Sequence, residues 1–153
     1  MQFCVRIKSP IEGQTIINDK IQGKVKVDNK ELDDFVIMRS DGSPTFLLSS
    51  AVDDFLMSIT DIIRGDDHLT NSFRQMVIFK YLDYLPTFSH MPLIHNENNE
   101  KLSKRHNALS IKEYKNNGFL PETIINYLLR LGWSYEDKEI ISLDDAINNF
   151  KIE

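Results

Sequence analysis

The chain has 153 residues, a net charge of −5, 41% hydrophobic and 27% charged side chains, enough for one compact domain or parts of two. The acidic balance excludes a protein that holds nucleic acid through its overall field, so any such binding has to come from a local patch. The single cysteine, Cys4, excludes an internal disulfide or a paired-cysteine metal site.

The expectation for Cys4 is a buried, reduced thiol in a cytoplasmic protein. No apolar run in the sequence reaches the roughly 18 residues that span a bilayer, and MQFCVRIKSP lacks the apolar stretch of a secretory leader. Neither a membrane nor a membrane partner is expected.

Residues 1 to 38 read as β. FCVRIKS places Val5 and Ile7 on one face, and GKVKV does the same for Val25 and Val27,. IEGQ and DNKE read as turns, and LDDFVIM as a third strand. The texture changes at RSDGSPTF, where Asp41-Gly42 and Ser43-Pro44 mark a tight turn,. FLLSSAVDDFLM reads as a helix, and SITDIIRG as a strand rich in β-branched residues,. LTNSFRQMVIFKYL puts Leu69, Phe73, Met76, Val77 and Tyr81 on one helical stripe,, and TFSHMPLI is a further strand. Strand, helix and strand across residues 58 to 94 predict a parallel pair covered by a helix. Ligands of such sheets collect at the carboxyl ends of the strands, here Arg64-Gly65 and the loop leading into KLSKR.

Beyond that loop the chain reads as helical. SIKEYKNNG opens with a capping serine and stops at Gly118,. LPETIINYLLRLGW carries an apolar stripe through Ile124, Leu128 and Leu131, and SLDDAINNF is a short helix capped by Ser142,.

KLSKR packs three cations into residues 101 to 105. Two lysines three residues apart can hold phosphate oxygens, and an arginine adds a fork; a solvated charged loop gives the same pattern. Arg64 ends an apolar strand, where it either binds a carboxylate or phosphate or pairs with a nearby aspartate. Asp66, Asp67 and His68 start a helix, where acidic residues suit the helix dipole. Their adjacency does not converge on a metal. Asp53 and Asp54 read as a solvated helix face, His90 as a satisfied core histidine, His95 and His106 as solvent-facing, and Trp133 as packing at a helix end. The sequence has no GxSxG, HExxH or P-loop motif,.

As an ordered set, RSDGSPTF, AVDDFLMSITDIIRGDDHLTNSFRQ, PTFSHMPLI, KLSKR and GFLPETIINYLLRLGWS resemble glutamyl-tRNA synthetase, a class I aminoacyl-tRNA synthetase, over essentially the whole chain. The resemblance implies an α/β chain: the second half of a Rossmann-like nucleotide-binding fold over 39–100. It is preceded over 1–38 by a β-rich piece of the acceptor-binding insertion. It is followed over 101–153 by a KMSKS-type loop and the start of the stem-contact helices. It also implies a reaction, joining glutamate to ATP with release of pyrophosphate and then passing the glutamyl group to the 3′ end of tRNA(Glu). Mg2+ would accompany ATP, and no zinc is expected in this segment.

By similarity, Lys101 and Lys104 would stabilise the ATP phosphates, and Ser103 and Arg105 would shape the loop. Leu93 and Ile94 match the segment against the adenine, and His68 a position beside the nucleotide. Arg64 matches the arginine that holds glutamate. Phe46 and Ser50 fall at positions expected to contact it, though Phe46 replaces a usual tyrosine and lacks its hydroxyl.

Nothing in the sequence matches the family's HIGH-type motif, which belongs to the other half of the nucleotide fold. The expectation is a part of a glutamate-tRNA ligase that does not charge tRNA alone and whose partner is the missing N-terminal half. The alternatives are a non-catalytic remnant binding tRNA or a partner protein, and part of a glutaminyl or non-discriminating synthetase.

Overall fold

The computed structural model describes residues 3–102 and 110–152. Two compact units divide it, residues 1–91 and 92–153. The first is α/β and is built on a four-stranded mixed sheet.

That sheet begins with the hairpin β2 (Gln14–Asp19) and β3 (Gly23–Asp28), paired antiparallel from Gln14↔Asp28 to Asp19↔Gly23. A short strand β1 (Val5–Arg6) pairs separately with β4 (Val36–Met38). Helix α1 (Phe46–Leu56) follows, then β5 (Asp61–Gly65), α2 (Leu69–Tyr81) and β6 (Thr87–Met91). β5 and β6 run parallel over five register pairs, from Asp61↔Thr87 to Gly65↔Met91. The expected crossover is therefore present, with α2 joining two parallel strands.

The hairpin of the expected insertion piece joins the same sheet, in the order β3-β2-β6-β5. Its link to β6 is short: Asp19 registers with Phe88, and the Lys20 N–H donates to the Phe88 carbonyl at 2.9 Å. The core gathers Ile17 from β2, Phe35, Ala51 from α1, Phe73, Ile78 and Phe79 from α2, and Phe88 from β6. Burying an isoleucine or phenylalanine side chain of this kind stabilises the fold by about 1.5–3 kcal/mol.

Four sequence readings need correction. Strand β2 begins at Gln14, the last residue of the stretch read as a turn, and continues through residues not singled out as a strand, with Thr15, Ile17 and Asp19 alternating inward and Gln14, Ile16 and Asn18 facing out. Cys4 is exposed, since β1 is a two-residue strand outside the main sheet. Tyr81, on the apolar stripe by spacing, is 73% exposed at the last position of α2. Of the stripe Ile124, Leu128 and Leu131, only Ile124 is buried.

The second unit holds α3 (Ile111–Asn116), α4 (Pro121–Arg130) and α5 (Leu143–Asn149). Ser110 and Glu113 form a reciprocal capping box on α3, and Gly118 follows it at φ +82°, which a side chain would strain,. Ser142 caps α5 through the Asp145 N–H. Trp133 stacks on Tyr135 and meets Phe150. Among the described residues no helix is long and apolar enough to cross a membrane.

Candidate functional site

Arg64 sits at the penultimate position of β5, at its carboxyl end. Its side chain lies across α2, whose Ser72 and Gln75 fall three residues apart on one face. Nη2 donates to Ser72 Oγ at 2.6 Å and to Gln75 Oε1 at 2.7 Å. Nε donates to His90 Nε2 of β6 at 3.3 Å, and the guanidinium lies 5.8 Å from the Phe88 ring centroid.

A guanidinium carries five N–H groups in a fixed fork. Nε and Nη2 spend three of them on these contacts. Nη1 donates to nothing among the described residues, and no carboxylate contacts the group directly. Burial pulls the Arg64 pKa below its ordinary value, and the charge of nearby Asp54 opposes that shift. Burial raises the Asp54 carboxyl, against the pull of Arg64 and with a push from Asp53. Of the two sequence readings for Arg64, direct pairing with an aspartate is absent among the described residues. Asp54 acts on it only through space.

Behind Arg64 lies a buried polar chain. His90 is fully buried, and its Nδ1 stands 2.6 Å from Asp19 Oδ2. The Asp19 carboxylate also accepts from the backbone N–H of His90 at 3.1 Å, and from Ile21 and Gln22 at 2.9 Å. Burial works to raise the Asp19 carboxyl. The donors Gln22, the His90 side chain and backbone, and Ile21 outweigh it and hold the group below its ordinary value,. Sequence reasoning identified His90 as a satisfied core histidine, which it is, but missed its partner. The available signal was an acidic residue closing an alternating strand pattern.

Gln75 extends the chain on the other side: its Nε2 donates to Ser50 Oγ at 2.6 Å, and Ser50 donates to the Phe46 carbonyl at 2.8 Å. Phe46 is half exposed, and its ring centroid lies 5.9 Å from that of His68. His68 closes the 3-10 turn Asp66–His68 before α2, with Nδ1 3.2 Å from Asn71 Nδ2. Arg64, His68, Phe46 and Ser50 therefore belong to one contiguous cluster, joined through Ser72 and Gln75, which the sequence reading did not single out. Their signal was two polar residues within a helix stretch whose neighbours pack into the core.

Leu93, Ile94 and Lys101 belong to the second unit. There the Leu102 N–H donates to the Ile94 carbonyl at 2.8 Å, and His95 bridges Lys101. Ser103, Lys104, Arg105 and His106 lie outside the described residues. No group of three His, Cys, Asp or Glu side chains that could hold a metal occurs among the described residues. A cleft of about 1090 Å3 lies away from the Arg64 cluster, lined by Lys8, Gln14, Met76, Lys80, Tyr81 and Tyr84 among others.

The unit is an α/β fold whose parallel strand pair presents a guanidinium with spare donors at its carboxyl end. The family model described as tRNA synthetases class I (E and Q), catalytic domain, matches residues 1–153, and the chain belongs to that family. A glutamate-tRNA ligase 2 of Ehrlichia chaffeensis is 58% identical over 149 residues, which is 97% of this chain and 32% of the relative. A glutamate-tRNA ligase 1 of Bartonella tribocorum is 55% identical over 150 residues, 97% of this chain and 32% of that relative. The crystal structure of a glutamate tRNA ligase from Elizabethkingia meningosepticum in complex with its amino acid superposes with a TM-score of 0.86 at 34% identity. It is matched over 97% of this chain and 34% of that one. The chain thus spans about a third of the length of the relatives it matches.

Proposed function

We propose that this chain supplies the glutamate-holding side and part of the ATP-binding side of a glutamate-tRNA ligase site. The carrying observation is Arg64: a half-buried guanidinium with, among the described residues, no direct counterion and two unspent Nη1 donors, at the end of a parallel strand. Such a group favours a carboxylate, which meets both donors in one plane.

In the reaction, a glutamate carboxylate oxygen attacks the α-phosphorus of ATP, and the bond to pyrophosphate breaks. The tRNA 3′ hydroxyl then takes the glutamyl group, and AMP leaves. Arg64 fixes glutamate, with Phe46 and Ser50 beside it. Phe46 contributes ring contact only, having no hydroxyl to donate. His68 stands beside the nucleotide, and Leu93 and Ile94 lie against the adenine. Lys101 and Lys104 follow the charge on the phosphates, with Mg2+ carried in by ATP, while Ser103 and Arg105 shape their KMSKS-type loop.

On this reading, residues 39–100 form the second half of the nucleotide fold and residues 101–153 the loop and first stem-contact helices. Residues 1–38 close the acceptor-binding insertion, and the enzyme works in the cytoplasm on tRNA(Glu). The remaining catalytic half supplies the HIGH-type motif and the other contacts to glutamate. Without those preorganised groups the chain does not stabilise the transition state on its own.

The test is a transplant. This chain replaces the matching segment of the Ehrlichia chaffeensis ligase, and charging of tRNA with glutamate is measured for the hybrid and for the chain alone. The hybrid is expected to charge glutamate, with the chain alone at background. A folded hybrid that binds tRNA but does not charge it would favour the remnant, and charging with glutamine would favour the glutaminyl or non-discriminating form.

A further inference from the structure

The Arg64 guanidinium has four torsions between its charge and the strand, so its direction has to be imposed from outside. Among the described residues His90 is the acceptor that faces Nε, and an imidazole nitrogen accepts only when it carries no proton. The hydrogen-bond network assigns that state. Asp19, ionised and buried, faces Nδ1 at 2.6 Å, which places the ring proton on Nδ1 and leaves Nε2 as an acceptor. Nε2 then meets Arg64 Nε at 3.3 Å and Ser72 Oγ at 2.8 Å. Ser72 accepts from Arg64 Nη2, and its one proton faces two acceptors, Nε2 at 2.8 Å and the His68 carbonyl at 3.3 Å, of which Nε2 is the nearer. The Phe88 ring, stacked 15° from parallel on His90, fixes the imidazole plane.

We propose that Asp19 and His90 are positioning residues for Arg64, locking the guanidinium so that Nη1 faces the substrate carboxylate. This rests on the reading of Arg64 as the carboxylate anchor. The opposite tautomer would set an N–H against Arg64 Nε–H, donor to donor, and leave the guanidinium held only through Nη2. Buried acceptor and buried donor are therefore matched across three elements: Asp19 of β2, His90 of β6 and Arg64 of β5.

The test uses the chain carrying isotope-labelled histidine and arginine, with no ligand added. The expected nuclear magnetic resonance signature is a His90 proton on Nδ1, an unprotonated Nε2, and a slowly exchanging Arg64 Nε–H coupled to it. His90→Gln keeps a carbonyl acceptor, whereas His90→Phe keeps bulk and loses the acceptor. Exchange of the Arg64 Nε–H is expected to quicken about tenfold or more in His90→Phe and to stay within about threefold in His90→Gln. A proton on Nε2 in the unsubstituted chain would overturn the proposal, as would unchanged exchange in a folded His90→Phe. If that variant fails to fold, the tautomer of the unsubstituted chain decides alone. Because no glutamate enters the experiment, its outcome is independent of the carboxylate-anchor reading, which the charging assay tests separately.

Discussion

Asp19 carries more of the first unit's polar structure than its place in the sequence suggests. Its side chain is fully buried, yet every donor near it is used, so an uncompensated charge is avoided,. Replacing it with asparagine weakens four hydrogen bonds to a carboxylate and is expected to cost about 1–3 kcal/mol at neutral pH. The pH dependence has a defined sign. The folded Asp19 titrates below its ordinary value of 3.8, so its contribution is full above that value and is lost as pH falls through the folded value. In urea unfolding, the gap between the native chain and Asp19→Asn should stay constant from neutral pH to about pH 5 and close below that. A gap that persists unchanged into strong acid would contradict the ionised, hydrogen-bonded carboxylate.

At the level of elements, α2 was legible because Leu69, Phe73, Met76 and Val77 repeat at helical spacing, and its face meets the buried Ala51 of α1 and Phe88 of β6,. Strand β5 was legible for a local reason too, its β-branched run. β2 was not. Its inward residues are Thr15, Ile17 and Asp19, and a buried carboxylate breaks the apolar alternation that marks a strand. The compensation comes from His90, 71 residues away, which no local pattern displays. The same distance hid Ser72 and Gln75, whose value depends on Arg64 and Ser50 arriving from other elements. Tyr81 misled in the opposite direction: helical spacing set it on the stripe, but the helix ends there and its ring opens onto the cleft. Helix α3 is the clearest local case. At six residues it is too short to stand on propensity,, so its capping box matters. Ser110→Ala is expected to weaken it by about 1 kcal/mol, read as faster exchange of the Glu113 amide while α2 amides are unchanged. Equal protection in the variant would remove the cap from the account.

On the scale of the molecule, the sheet joins two stretches that the sequence reading assigned to different domains, through one register pair, Asp19 with Phe88, flanked by the Lys20 N–H donating to the Phe88 carbonyl. That seam is also where Asp19 reaches His90, so the docking of the hairpin and the setting of Arg64 depend on the same contact. The family was legible from an ordered set of short segments; the way its site is held was not, because tautomers and spare donors exist only once the strands are side by side. On the proposed reading, Arg64 anchors the substrate carboxylate. The measurement that tests it most directly is glutamate-dependent ATP-pyrophosphate exchange by the hybrid ligase carrying this chain, with and without Arg64→Ala. A loss of about a hundredfold or more in kcat/KM for glutamate, roughly 2.7 kcal/mol, with the KM for ATP little changed, is the predicted result. A kcat/KM within about threefold of the unsubstituted hybrid would contradict it.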